Sequence, residues 1–407
     1  MRVLNQVRSA HSRPIVALLV VQLLSGIVLA PQRFFFPIYL EEQLGFSAVL
    51  ISALVALGLF LGMVASLVGG TLSDTLGRKW TLILGLGGFA LGSLVYLFSS
   101  PALIVLVWVA SGLGLAFHAL GGQSYLIDAA GAAHLGVLSA LYNWGFTLGG
   151  ALSSPVAGII LDSRGYPAMG AALFGVSLLT LLGAAGFMPP VWGESDAEGV
   201  PWQRALSGYG RLLQRRPIAL LGLLRFLPTC YYGMATVLIP LLMNRTAANK
   251  TSVALYAMLS QLLASLAQIV AGRAVDRWQR RVPTLVAFGL LLLSAAGLAA
   301  FATQLWSLFL FGVIGISSAW ALSTLMPVLV SDVTAPRERG RVLGMLHFLW
   351  NIAMMLGSLG GGALVEVTAG LPFLAAALVC AGAIVTAVLY FRQVEPAEPA
   401  VQPAGSG

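Results

Sequence analysis

Twelve apolar runs, each of about twenty residues or more and separated by short polar turns, constrain this chain more than anything else in it. Backbone amides inside hydrocarbon must be hydrogen-bonded within the chain, so only helices and closed barrels span lipid. Barrel strands are short alternating segments of about ten residues, and these runs do not alternate. Spacing and turn residues place helices at 14–40, 47–72, 80–98, 102–127, 136–161 and 167–189, then at 217–243, 251–274, 282–302, 305–330, 341–367 and 371–391. The composition agrees: 58% hydrophobic and 9% charged residues leave too little polar surface for a soluble chain of 407 residues.

Local punctuation supports these boundaries. Ser47, after Gly45-Phe46, is suited to cap the second helix, and Pro101 and Pro217 stand where helices tolerate proline. The first run follows Arg2, Arg8 and Arg13 as a signal peptide's would, but it is too long for one and reads as a retained helix. The longest polar stretch, 190–216, holds Glu194, Asp196 and Glu198, then Arg204, Arg211, Arg215 and Arg216. It divides the chain into an N-terminal bundle (1–189), a cytoplasmic linker (190–216), a C-terminal bundle (217–391) and a Pro/Ala/Gly-rich tail (392–407) expected to be disordered.

The net charge of +8 is a matter of topology. Seventeen Lys and Arg fall in alternate loops and at the termini, against at most four (Arg164, Arg245, Lys250 and Arg33) on the opposite side. The positive-inside rule therefore predicts cytoplasmic termini, in a bacterial inner membrane. The expected partners are the lipid bilayer, a small-molecule substrate and protons. Nucleic acid is not expected, and the chain is expected to act as a monomer. Cys230 and Cys380 lie in apolar runs and imply no disulfide framework. No Walker A loop, His-Glu-x-x-His or Gly-x-Ser-x-Gly is present, so neither an enzyme nor a cofactor or metal site is expected.

The two halves echo each other at a nearly constant offset. Gly70, Asp74, Arg78 and Lys79 match Gly272, Asp276, Arg280 and Arg281 at an offset of 202, and Pro37 matches Pro240 at 203. Asp128 and Gly136 match Asp332 and Gly340 at 204, as Gly158 and Asp162 match Gly362 and Glu366. A parallel duplication of six helices is one of the organisations that transporters use, with a site between the halves near mid-membrane.

On these residues the sequence resembles the major facilitator superfamily over 14–391. The family's loop signature runs Gly-x-Leu-Ala-Asp-Arg-x-Gly-Arg-Lys. Gly70, Leu72, Asp74, Gly77, Arg78 and Lys79 fit it, with Ser73 and Thr75 departing; the second copy keeps Arg277 but has Gln279 in place of glycine. The resemblance implies an all-α membrane protein with twelve transmembrane helices in two pseudo-symmetric six-helix bundles. It also implies a cytoplasmic gate, in which Asp74 docks against the start of helix 11 near Gly340-Arg341 and Asp276 faces the start of helix 5. Gly77 suits a sharp turn, and Arg78 and Lys79 suit headgroups. In helix 5, Gly150, Pro155 and Gly158 partly match an exporter signature, and they equally suit a kinked packing face.

The interior is where cargo would be met. The resemblance places helices 1, 4, 7 and 10 around the cavity. All fourteen acidic residues lie in loops, tails or near span ends, so no carboxylate is deep in a helix. Trp108 stands where proton-coupled exporters carry an Arg. Arg225 lies seven residues beyond Ile218, about 10 Å into helix 7, and its repeat partner is Gln22. Arg33 sits in the outer part of helix 1, either lining the cavity or snorkelling outward to pair with Glu41 or Glu42. An intramembrane Arg points to function, here to an anionic group. His118 and His347 are either proton carriers or hydrogen-bonded packing residues. Tyr142, Asn143, Tyr231, Tyr232, Gln261, Trp320, Trp350 and Asn351 are candidate amphipathic lining. The expected activity is secondary transport of a small organic, anionic or amphipathic solute by alternating access, as proton-coupled efflux. Uptake, uniport or anion exchange is the alternative, and an intramembrane enzyme a remote one.

Overall fold

A computed structural model describes residues 12–130, 135–191, 210–247, 249–277, 279–334 and 338–394. Among the described residues the long elements are all helices. The first four are α1 (Ser12–Leu44), α2 (Ala48–Leu76), α3 (Arg78–Leu94, extended by a 3-10 turn Val95–Leu97) and α4 (Pro101–Ala130). A continuous stretch, Leu135–Phe187, follows. Its 53 residues would measure about 80 Å as one rod, against roughly 30 Å of hydrocarbon. It breaks at Gly165, whose φ of 77° suits glycine, into α5 (135–164) and α6 (166–187). Then come α7 (Arg216–Ala247), α8 (Lys250–Arg277), α9 (Arg281–Phe301), α10 (Leu305–Val333), α11 (Arg339–Val365) and α12 (Leu371–Gln393).

The predicted spans agree with these helices to within a few residues. Ser47 does cap α2, accepting the Leu50 N–H at 3.3 Å, and Pro101 opens α4. Most of the expected linker, 192–209, and most of the expected tail, 395–407, lie outside the described residues. Twelve crossings place both ends of the bundle on one side, called here the terminal face; the other is the distal face.

In lipid the apolar effect does not drive helices together, so close backbone approach at small residues takes its place. A β-carbon on Gly149 of α5 would overlap the Leu23 carbonyl of α1, and one on Gly357 of α11 would overlap the Cys230 carbonyl of α7. The first and fifth helices of each half therefore press together in the same way. Leu106, Ile159, Leu179, Phe187 and Leu378 are exposed outward, which hydrocarbon accepts and water would not. Cys230 and Cys380 are free thiols.

Near the distal face the first half is knotted by three phenols. Tyr39 lies edge-on to Tyr96 and Tyr166, at 5.1 and 5.0 Å between ring centres. Tyr39 donates to the Phe98 carbonyl at 2.5 Å and Tyr96 to that of Gln32 at 2.9 Å. The third, Tyr166, donates to Glu42 at 2.8 Å, which fixes that acid at the end of α1.

Candidate functional site between the halves

Arg33 is exposed, yet its electrostatic neighbours are Tyr232 on α7 and His118 on α4. A side chain that is both solvent-accessible and ringed by α1, α4 and α7 faces the interior. Its expected pairing with Glu41 or Glu42 is not found, because both acids turn instead to α7 and α8: Glu41 to Arg245, Glu42 to Lys250. Arg225 is half-buried on α7 and donates to Ser323 of α10 at 3.1 Å. It too lies within electrostatic reach of Tyr232. Among the described residues no carboxylate forms an ion pair with either guanidinium.

Aromatics surround this pair. Tyr232 meets Trp320 edge-on at 6.4 Å, and His347 stacks on Trp350 at 5.6 Å within reach of Arg225. His347 is exposed and Asn351, one turn on, is buried with its amide donating to the His347 carbonyl at 2.9 Å. His118 is different. It is buried, 3.1 Å from the Ser25 hydroxyl and tilted against the Phe89 ring, so it belongs to the packing of α1, α3 and α4.

The other expected lining residues divide. Gln22 and Tyr142 are both buried, and the Gln22 carbonyl oxygen has no hydrogen-bond partner among the described residues. Asn143 is exposed, and Gln261 is half-buried on α8. Tyr231 points away from the cavity: fully buried, its hydroxyl 2.7 Å from that of Ser294, it is core of the second half. Trp108 stacks flat on Phe36 at 3.6 Å and donates to the Leu54 carbonyl at 3.1 Å. An indole thus fills the position where an exporter-type Arg would stand.

At the terminal face, Gly77 holds a φ of 88° between α2 and α3, as the turn requires. Arg78 does not extend to headgroups: only 14% exposed, it bonds Asp128 at 2.9 Å. Its repeat partner Arg280 pairs with Asp332, the equivalent acid. Lys79 donates to the Ala185 carbonyl at 2.7 Å, tying α3 to α6. Arg277, Arg281 and Arg341 are exposed, and Gly272 has open space around it. The side chains of Gly70, Asp74 and Asp276 lie outside the described residues. In α5, Gly150 approaches Ala30 and Gln261, and Gly158 approaches Ala254, so both sit at helix contacts; Pro155 lies between them inside a helix that continues through it.

The distal face holds contacts between the halves that the sequence reasoning did not anticipate. Glu41 accepts from Arg245 at 2.7 Å, which joins the end of α1 to the end of α7. Glu42 bonds Lys250 and accepts from Asn244 at 2.9 Å. Asp162 and Glu366 also bond across the halves. The signal for the last two was in the duplicated Gly-x-x-x-acid spacing of Gly158–Asp162 and Gly362–Glu366.

Two six-helix sets related by a pseudo-two-fold, enclosing a basic and aromatic interior, define a transporter-like membrane protein. The model of the Major Facilitator Superfamily matches residues 18–328 and 321–407, so the chain belongs to that family of membrane transporters rather than to a class of enzymes. The chain is 28% identical over 199 residues to the class H tetracycline resistance protein of Pasteurella multocida, a match covering 46% of this chain and about half, 47%, of that protein. It is 21% identical over 392 residues, 92% of each chain, to the uncharacterized MFS-type transporter YhjO of Bacillus subtilis (strain 168). Among solved structures, the nucleoside transporter NupG superposes with a TM-score of 0.75 at 16% identity, covering 94% of this chain and all of that one. A bacterial homolog of the human lysosomal transporter Spinster, in an inward-facing and unoccupied conformation, gives 0.72 at 15% identity, covering 95% and 98%.

Proposed function

We propose that this protein is a proton-coupled exporter of a small organic solute bearing an anionic group on an amphipathic body. It works by rocking residues 1–189 against 217–391 about the interior site, and its termini lie in the cytoplasm of a bacterial inner membrane. The observation that carries the anionic class is the pair Arg33 and Arg225, one from each half, without a described carboxylate partner. Two guanidinium groups facing the interior without a described carboxylate favour an anion that completes their hydrogen bonding. Tyr232, Trp320 and Trp350 give an apolar body aromatic surface to lie against.

Export is supported by the relatives named for tetracycline resistance and for multidrug resistance, the latter 26% identical over 186 residues. The bacterial source of these relatives supports the membrane, and the asymmetry of Lys and Arg supports the orientation. We assign the coupling proton to His347, which is exposed and within electrostatic range of Arg225.

Anion exchange or uniport is the second reading. It is favoured by one observation: no described carboxylate lies in the interior to exchange protons. Proteoliposomes with an imposed pH gradient separate the two. Screened against aromatic carboxylates, organic phosphates and organic cations, the purified protein should move an anion against its gradient while protons move the other way. Anion movement with no proton flux would establish the exchange or uniport reading. Preferred transport of a cation, undiminished in Arg225→Ala, would refute the anionic class.

A further inference from the structure

We infer that two symmetry-related cross-caps hold the distal face shut, and that Asp162 and Glu366 are positioning residues setting the balance between its closed and open states. Asp162, at the end of α5, accepts the first two amides of α8 in the other half: Lys250 N–H and Thr251 N–H, each at 3.1 Å. It also accepts the Thr251 hydroxyl at 2.6 Å. Glu366, at the end of α11, accepts the first amide of α2 in the opposite direction, Ala48 N–H at 2.9 Å. The acids are 204 residues apart and their targets, Ala48 and Thr251, are 203 apart. One device thus occurs twice.

The division of labour at each helix start is the same. A local residue takes the third amide: Ser47 accepts from Leu50 at 3.3 Å and Asn249 from Ser252 at 2.8 Å. The acid of the opposite half takes the first. Free amides and the helix dipole make a helix N-terminus a natural seat for a carboxylate. An ordinary capping residue belongs to its own segment and stays in place when domains move. These acids do not, so their contribution disappears when the halves separate at this face. That difference converts a cap into a latch.

The reach of each acid depends on a glycine one turn earlier. A β-carbon on Gly158 would stand 2.6 Å from that of Ala254, and one on Gly362 would stand 2.6 Å from that of Ser52. Bare backbone at these points lets α5 lie on α8 and α11 on α2 closely enough for the carboxylates to meet the amides. The pairs Glu41–Arg245 and Glu42–Lys250 also join the halves at this face. Both capping acids are exposed. Each cap should therefore shift the closed-to-open ratio about two- to fivefold, the range of dipole and capping effects at exposed positions.

The inference rests on two halves that move, and not on the identity of the solute. The test uses the full chain in lipid nanodiscs, with Cys230 and Cys380 replaced by serine and spin labels at Ser99 and Gln304, on distal loops of opposite halves. Asp162→Asn and Glu366→Gln should each lengthen the distance distribution, and the double variant should lengthen it further. Thr251→Val, which removes one donor to Asp162, should shift it in the same direction by less, and it serves if an acid variant does not fold. Asp128→Asn, at the terminal face and bonded within its own half, is the control. An unchanged distance in the folded double variant would overturn the latch, as would an equal shift in the control.

Discussion

Arg33 and Arg225 lie within electrostatic range of one phenol, Tyr232, from opposite halves of the molecule. The two positions are not repeat equivalents: Arg225 corresponds to Gln22, which is buried beside Tyr142. The site is therefore asymmetric although its scaffold is symmetric. A solute that contacts both arginines touches both halves at once.

Truncating Arg225 should weaken an anionic ligand about ten- to hundredfold, because hydrogen bonds to charged groups contribute roughly 1.5–3 kcal/mol. Arg225→Lys should restore part of the loss, since it keeps the charge but not the planar fork. Arg33→Ala combined with Arg225→Ala should lose less than the two single changes together if both grip one group. Isothermal titration with the best anion from the transport screen measures all three.

The two interior histidines should separate cleanly. His118 is buried against Ser25 and Phe89, whereas His347 is exposed beside Arg225. His118→Gln should lower the unfolding temperature by a few degrees, consistent with loss of about 1 kcal/mol of packing and hydrogen bonding, and leave proton flux intact. His347→Gln should leave the unfolding temperature alone and abolish the dependence of transport on a pH gradient. A pH-sensitive dye inside proteoliposomes, read alongside thermal unfolding, checks the pair.

What the sequence disclosed follows from how strongly each feature constrains the chain. Lipid dictates helix length, so all twelve spans were legible, and even the fused stretch Leu135–Phe187 was divided in advance within a few residues of Gly165. The φ of Gly77 was legible because a ten-residue signature demanded a turn there. Side-chain direction was not. Tyr231 and Tyr232 are neighbours, yet one faces the core and the other the cavity, a distinction set by helix rotation that composition does not encode. Arg78 was read as a headgroup anchor, because its partner Asp128 lies fifty residues away on another helix. The distal acids were seen only as repeat markers, since the amides they cap belong to the opposite half.

Gly77 and its counterpart solve one problem by different means, and this makes a sharp prediction. Gly77 needs a φ of 88°, whereas the second copy carries Gln279 and enters α9 through Arg280 at a φ of −51°. Gly77→Ala should therefore cost about 1–3 kcal/mol, as for other side chains forced into that region. Gln279→Ala should change stability by only a few tenths of a kcal/mol, like other surface substitutions. Thermal unfolding in one detergent, followed by tryptophan fluorescence, compares them directly.

The last prediction concerns what holds the halves themselves together. Gly357 touches the Cys230 backbone so closely that a methyl group cannot fit without moving α11 from α7, whereas Gly289 and Gly382 have nothing within 4 Å of a β-carbon. Where helix association depends on backbone proximity rather than on apolar surface, the first site should be intolerant and the other two should not. Gly357→Ala should destabilise by about 1–3 kcal/mol, the usual cost of overpacking. Gly289→Ala and Gly382→Ala should be neutral or stabilise by up to about 1 kcal/mol, because alanine favours the helix over glycine. Equal losses at all three positions would show that helix contacts in this chain do not depend on backbone proximity. Thermal unfolding of the three variants in the same lipid decides it.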